Sequence, residues 1–282
     1  MTSPKTLLDA WNLKALKAFG QNFLKDPAAA ERIVDRAGVD RQDVVLEIGA
    51  GLGILTIAAA RRVCKVWAVE KDRRLVPLLR AELQARGIRN VDILEQDVLT
   101  VDLAALGAAG PLTVMGNLPY NISSQVVIKL IEERSVVRRA VLMFQKELAE
   151  RLCARPGGKA YGRISVMLQY CADLGPPAII KADQFHPRPQ VDSAVLRIDF
   201  KALIAPRADD EKMLRRVIQA AFGQRRKTLR NALTSGGLPL DREGVLQALA
   251  ACGIDPVRRA ETLSVEEFVA LSNCVSLKAE KK

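Results

Sequence analysis

The chain reads as an α/β protein: a Rossmann-like domain with a parallel sheet, followed by a small all-helical C-terminal domain. Three observations lead there. Short apolar runs alternate with helical stretches over most of the first two-thirds. A glycine-rich turn, Gly49-Ala50-Gly51-Leu52-Gly53, follows the first of those runs. Beyond about Asp209 the periodicity is helical only. Strands that alternate with helices pair in parallel through right-handed crossovers.

The elements follow in order. Residues 1–25 form an opening segment that ends in F-G-Q-N-F-L (Phe19–Leu24). Asp26 and Pro27 are suited to an N-cap and first helical position. The run A-A-A-E-R-I-V-D-R-A is then helix, with Gly38 as its stop. V-V-L-E-I is a buried strand, and a helix from about Leu55 to Arg62 follows the glycine turn. K-V-W-A-V-E ends a second strand at Glu70, with a helix through about Arg86. V-D-I-L-E-Q-D ends a third strand at Asp97, and P-L-T-V-M-G-N a fourth at Asn117. A helix from Ser123 to about Glu133 and the strand A-V-L-M-F complete the alternation. A-V-L-R-I-D-F (Ala194–Phe200) is one more strand. The proline and charge run after it predict a linker, so the expected domains are 1–205 and 206–282. Ser264 and Glu267 have capping-box spacing and open the last helix.

Composition narrows the function. The 282 residues carry 43 Lys and Arg against 32 Asp and Glu, a formal charge of +11. That excess suits a polyanionic partner. The five cysteines include no C-x-x-C pair, which argues against a zinc site or disulfide framework and fits a reducing cytoplasm. A single histidine excludes His-rich metal ligation, so no metal is expected. No apolar run is long enough to span a membrane, and no signal core opens the chain, so a cytoplasmic protein is expected.

The polar residues after the strands converge on one end of the sheet, where ligands of such folds bind. Glycines at 49 and 51 let backbone approach a ligand without a Cβ clash. The G-x-G-x-G spacing places isoleucine where a dinucleotide fingerprint needs its last glycine, which disfavours a nicotinamide cofactor. Glu70 has the position and chemistry to accept from both hydroxyls of a ribose. Asp97 suits either a cofactor's adenine amino group or a helix cap.

The fourth strand runs directly into Asn117-Leu118-Pro119-Tyr120. An aromatic amino nitrogen is a poor nucleophile because its lone pair is delocalised. It needs acceptors that hold its hydrogens rather than a strong base. The Asn117 side-chain oxygen and the Leu118 carbonyl are such acceptors. Pro119 restricts the backbone, and Tyr120 offers a ring for base stacking. If a methyl group arrives already activated on a sulfonium, catalysis reduces largely to in-line positioning and electrostatics.

With these motifs the chain closely resembles the KsgA family of small-subunit ribosomal RNA adenine dimethyltransferases. The resemblance rests on F-G-Q-N-F-L, L-E-I-G-A-G-L-G (Leu46–Gly53), N-L-P-Y and F-Q-K-E-L-A-E-R-L (Phe144–Leu152). It rests more specifically on Y-G-R-I-S-V (Tyr161–Val166), F-x-P-x-P-x-V-D-S (Phe185–Ser193) and F-G-Q-R-R-K-T-L-R-N-A-L (Phe222–Leu233). It implies a class I methyltransferase domain, whose N-terminal segment closes over the cofactor, and a small helical domain. It implies cofactor contacts at Asn22, Leu24, Gly49, Glu70, Asp97 and Asn117, and a Phe185 ring that stacks on the target adenine opposite Tyr120. The implied substrate is a pair of adjacent adenosines in the 3′-terminal hairpin loop of 16S rRNA, dimethylated during small-subunit assembly. Many members have proline where this chain has Ala50; Gly49 and Gly51 remain.

Arg225, Arg226, Lys227 and Arg230 form the densest basic cluster and are candidates for phosphate contacts. Helical spacing would put Arg226 and Arg230 on one face. His186 reads as a loop residue. A monomer is expected. Rival readings are a large-subunit rRNA methyltransferase of the antibiotic-resistance type, a non-catalytic assembly factor and, more distantly, a DNA adenine methyltransferase.

Overall fold

The computed structural model describes residues 2–108, 110–224 and 226–279. The helices are α1 (Pro4–Ala10), α2 (Pro27–Ala37), α3 (Ile54–Ala60), α4 (Val76–Ala85), α5 (Leu103–Leu106), α6 (Ser123–Glu132), α7 (Lys146–Leu152), α8 (Arg163–Cys171), α9 (Glu211–Gly223), α10 (Leu229–Thr234), α11 (Arg242–Ala251) and α12 (Val265–Ala279). The strands are β1 (Phe23–Leu24), β2 (Val44–Ile48), β3 (Lys65–Val69), β4 (Val91–Leu94), β5 (Leu112–Asn117), β6 (Val137–Gln145), β7 (Ala172–Leu174), β8 (Ala178–Ile180), β9 (Phe185–His186) and β10 (Ser193–Phe200).

The main sheet has the order β4-β3-β2-β5-β6-β10-β7, with β8 also on β10. β2 pairs in parallel with both β3 and β5, and β5 in parallel with β6. The chain therefore builds outward from β2 in opposite directions, and the switch point lies at the carboxyl ends of β2 and β5. β10 returns antiparallel to β6. Apolar side chains of α2 and α3 cover one face of the sheet with Val45, Val66, Ala68, Met115 and Val141. The local signals act as expected. Asp26 caps α2 by accepting from the Ala28 N–H at 2.9 Å, and Gly38 ends it with φ 56°. The Ser264–Glu267 box closes both ways, at 2.8 and 3.1 Å.

The chain divides into two compact units: Met1–Ala149 with Asp173–Phe200, and Glu150–Ala172 with Lys201–Lys282. This differs from the expected boundary after residue 205. The break falls at Phe200, and residues 150–172 join the helical unit. Packing explains it. In that unit the Tyr161 ring meets Phe222 edge-on at 6.2 Å, and Phe222 stacks on Phe268 at 5.7 Å. Tyr161 and Phe268 are fully buried, so the stretch around Tyr161 supplies part of the helical unit's core. No helix of the described residues is long and apolar enough to cross a membrane.

Candidate active site

A pocket opens at the switch point. Its walls come from the ends of β2, β3 and β5, from the turn after β4, and from residues 18–23. Gly49, Gly51, Glu70, Asp97, Asn117 and Asn22 all line it, so these six residues meet in one place.

The glycine turn is wrapped onto β3: the Gly49 and Ala50 N–H groups donate to the Val69 carbonyl at 2.9 and 3.1 Å. Gly51 has φ 55°, and a Cβ there would stand 3.1 Å from the Phe23 ring. Only glycine allows both the turn and that ring. A Cβ on Gly53 would meet Leu79 at 2.5 Å, so this third glycine serves helix packing rather than the pocket.

Glu70 is nearly buried, and both its oxygens are held. Oε2 accepts from the Gly51 N–H at 2.8 Å, and Oε1 from the Asp72 N–H at 2.7 Å. Burial raises its pKa, and the two backbone donors oppose that rise. Each oxygen keeps a further lone pair for a ligand hydroxyl. Asp97 fills the capping role its position allowed. Oδ1 accepts from the Leu99 N–H at 3.0 Å and caps a short turn, while Oδ2 meets Lys71 Nζ at 2.8 Å in the pocket wall. The Lys71 ammonium and that N–H lower its pKa.

Asn117 donates its amide N–H to the Asn22 carbonyl at 2.7 Å. That bond fixes which way the amide faces and leaves Oδ1 as an acceptor with no donor among the described residues. The buried Leu118 N–H donates to the Met143 carbonyl at 3.3 Å, which ties the motif to β6. The half-buried Tyr120 hydroxyl lies 2.9 Å from the Ser193 hydroxyl, and burial raises the phenol's pKa.

Three expectations need correction. Leu24 does not line the pocket; it is buried in the core with Ala30 and Ile33, and its neighbour Phe23 faces the pocket instead. Successive residues of β1 point to opposite sides, which accounts for the swap. Phe185 pairs with Leu24 across β1 and β9 and is only 2% exposed, inside the same apolar core. Its ring therefore offers no open face opposite Tyr120. His186 lies in β9, paired with Phe23, rather than in a loop.

Other residues were not legible as part of the site. Gln21 accepts from the Leu16 N–H at 2.7 Å and donates to Asp72 Oδ2 at 2.8 Å. Arg74 holds the same buried carboxylate at 2.7 Å. Asp72 thus joins the opening segment to Glu70 through its own N–H. The glutamine in F-G-Q-N-F-L was the available signal, but nothing local names a partner so distant in sequence. Ser193, the last residue of the V-D-S run, was a second signal of this kind.

In the helical unit, Arg226 and Lys227 are exposed and Arg230 is partly buried; Arg225 lies outside the described residues. Arg226 and Lys227 stand in the turn before α10, where the Lys227 N–H donates to the Gln224 carbonyl. The chain leaves helix there, so the expected shared face of Arg226 and Arg230 does not form.

The family model for "Ribosomal RNA adenine dimethylase" matches residues 12–276. The chain is similar to ribosomal RNA small subunit methyltransferase A of Desulforapulum autotrophicum, 50% identical over 98% of this chain and 97% of the relative. The protein of the same name from Geobacter sulfurreducens is 45% identical, over 92% and 95%. Of the solved structures, a dimethyladenosine transferase from Plasmodium falciparum matches with a TM-score of 0.78 and 25% identity, over 88% of this chain and 95% of that one. The 23S rRNA methyltransferase ErmE matches at 0.70 and 26%, over 90% and 100%.

Proposed function

The chain belongs to the ribosomal RNA adenine dimethylase family, and from that premise we propose that it uses S-adenosylmethionine to dimethylate the amino nitrogens of two adjacent adenosines in the 3′-terminal hairpin loop of 16S rRNA. One observation carries the chemistry: the Asn117 amide, anchored on Asn22, leaves its oxygen as an acceptor at the pocket where Glu70 and the glycine turn meet. The relatives named for the small subunit are 45–50% identical, against 26% for the large-subunit enzyme, which favours the small subunit as substrate.

The pocket fits the cofactor. A buried carboxylate with spare lone pairs stands beside a glycine cradle, and a Cβ on Gly49 would fill the space next to Asn117 and Pro119. Glu70 would hold the ribose hydroxyls, and Asp97 the adenine amino group. S-adenosylmethionine, when bound, supplies a methyl group already activated on sulfur. Asn117 Oδ1 and the Leu118 carbonyl hold the hydrogens of the target amine and orient its lone pair. Tyr120 stacks on the target base, its ring steadied by Ser193. No carboxylate or histidine belongs to the N-L-P-Y turn, so the proton leaves after transfer, to water. We place the enzyme in the cytoplasm as a monomer, with Arg226 and Lys227, together with Arg225, on rRNA phosphates.

Incubation with labelled cofactor and, separately, immature small subunits, large-subunit RNA and duplex DNA tests the reading. Label on adjacent adenosines of the small subunit alone is the expected result; label on large-subunit RNA would transfer the proposal to the resistance-type reaction. Glu70→Ala is expected to weaken cofactor binding by about 1–3 kcal/mol, the worth of its ribose contacts. Calorimetry that finds the wild-type affinity in a folded variant would reject the ribose assignment. Neutralising Arg226 and Lys227 should reduce the slope of log affinity against log salt by about 1–2; an unchanged slope removes this turn from the RNA interface.

A further inference from the structure

Three of the five cysteines stand apart, but Cys252 and Cys274 do not. Cys252 closes the C-terminal end of α11, and Cys274 lies on α12, which packs against α11. The Cys252 thiol donates to the Cys274 sulfur at 3.0 Å, and both residues are partly exposed. No C-x-x-C motif announces the pair, because its members are brought together by helix packing rather than by spacing. We propose that Cys252 and Cys274 are a dithiol site that low-molecular-weight disulfides convert reversibly into an intramolecular disulfide.

The chemistry needs little movement, since the sulfurs already touch and a disulfide brings them to about 2 Å. Burial and the neighbouring sulfur push the Cys252 thiol up to about 12. The thiolate of one cysteine displaces one glutathione from glutathione disulfide and forms a mixed disulfide. The other cysteine then loses its proton to solvent, attacks its partner's sulfur and expels the second glutathione. Two cysteines are oxidised, and one glutathione disulfide is reduced to two thiols.

The crosslink would fasten more than two helices. The chain after Cys252 holds the start of α10, where the Leu229 N–H donates to the Arg258 carbonyl at 2.7 Å and the Arg230 N–H to the Pro256 carbonyl at 3.1 Å. A bond at Cys252 therefore restrains the loop next to the Arg226–Lys227 turn. This route to the RNA surface rests on the reading above; the dithiol site does not.

The folded full-length protein should be treated with glutathione disulfide, alkylated and mapped by peptide mass spectrometry. The expected product has lost two hydrogens and joins the Cys252 and Cys274 peptides. Cys64, which is exposed, should carry glutathione at most. Oxidation should raise the unfolding temperature by roughly 5–10 °C and slow amide exchange in residues 253–259. Cys252→Ser and Cys274→Ser should each stop at a glutathione adduct on the remaining thiol. Wild-type protein that gains only adducts, or that crosslinks another pair of cysteines, would overturn the proposal whatever the variants do.

Discussion

Asn117→Ala is expected to lower the rate of methyl transfer at least about 100-fold, a loss of about 3 kcal/mol or more of transition-state stabilisation. The structure gives the reason. The amide is held by donation to the Asn22 carbonyl at 2.7 Å, so its oxygen is aimed before substrate arrives. Preorganised acceptors cost no reorganisation as charge develops on the amine. The variant also loses that one hydrogen bond, worth about 1 kcal/mol, so it should fold and melt close to wild type. Single-turnover assays with saturating cofactor, alongside circular dichroism, separate the two effects. A folded variant within tenfold of the wild-type rate would show that Asn117 is not the acceptor.

Glu47→Gln has its largest effect on stability, and the effect depends on pH. Glu47 lies on β2 just before the glycine turn and is completely enclosed. Burial lifts its pKa from 4.5 to about 8; contacts with Thr56 oppose the rise, and the nearby Glu70 adds to it. The folded protein therefore keeps a proton on Glu47 that the unfolded chain gives up above about 4.5. Over that window the native state binds more protons, so stability falls as pH rises and levels off above about 8. Glu70 is shifted in the same direction and adds the same sign. The total cost from Glu47 is about 3–5 kcal/mol. Gln removes it, so the variant should match wild type near pH 4.5 and be the more stable protein at pH 9. Denaturant unfolding at both values measures this. Parallel stability curves for the two proteins would mean that Glu47 is ionised in the fold.

Much of the sheet was legible because its signals are local. Asp26 and Gly38 bound α2 through their own side chain and backbone angle, and the strand runs from Val44 to Asn117 carry their apolar pattern within a few residues. The site was legible for the same reason: Gly49, Glu70, Asp97 and Asn117 each follow a strand, and parallel strands bring such ends together. What was missed depends on distant partners. Gln21 needs Asp72, and Tyr120 meets Ser193. Phe185 shows the converse. Its motif marks it, but the pairing of β1 with β9 decides where its ring goes. At Arg226 the error was one of period: a helical face was read through a turn.

The helical unit is drawn from two separate stretches of chain, with Tyr161 from the first packed on Phe222 from the second. For protein engineering this means that the unit is not a modular cassette. A chimera exchanging only residues 201–282 with a relative would ask a foreign Phe222 equivalent to accept the resident Tyr161. Exchanging the helical unit between relatives therefore calls for three junctions, at 149/150, 172/173 and 200/201, so that both halves of the aromatic stack travel together.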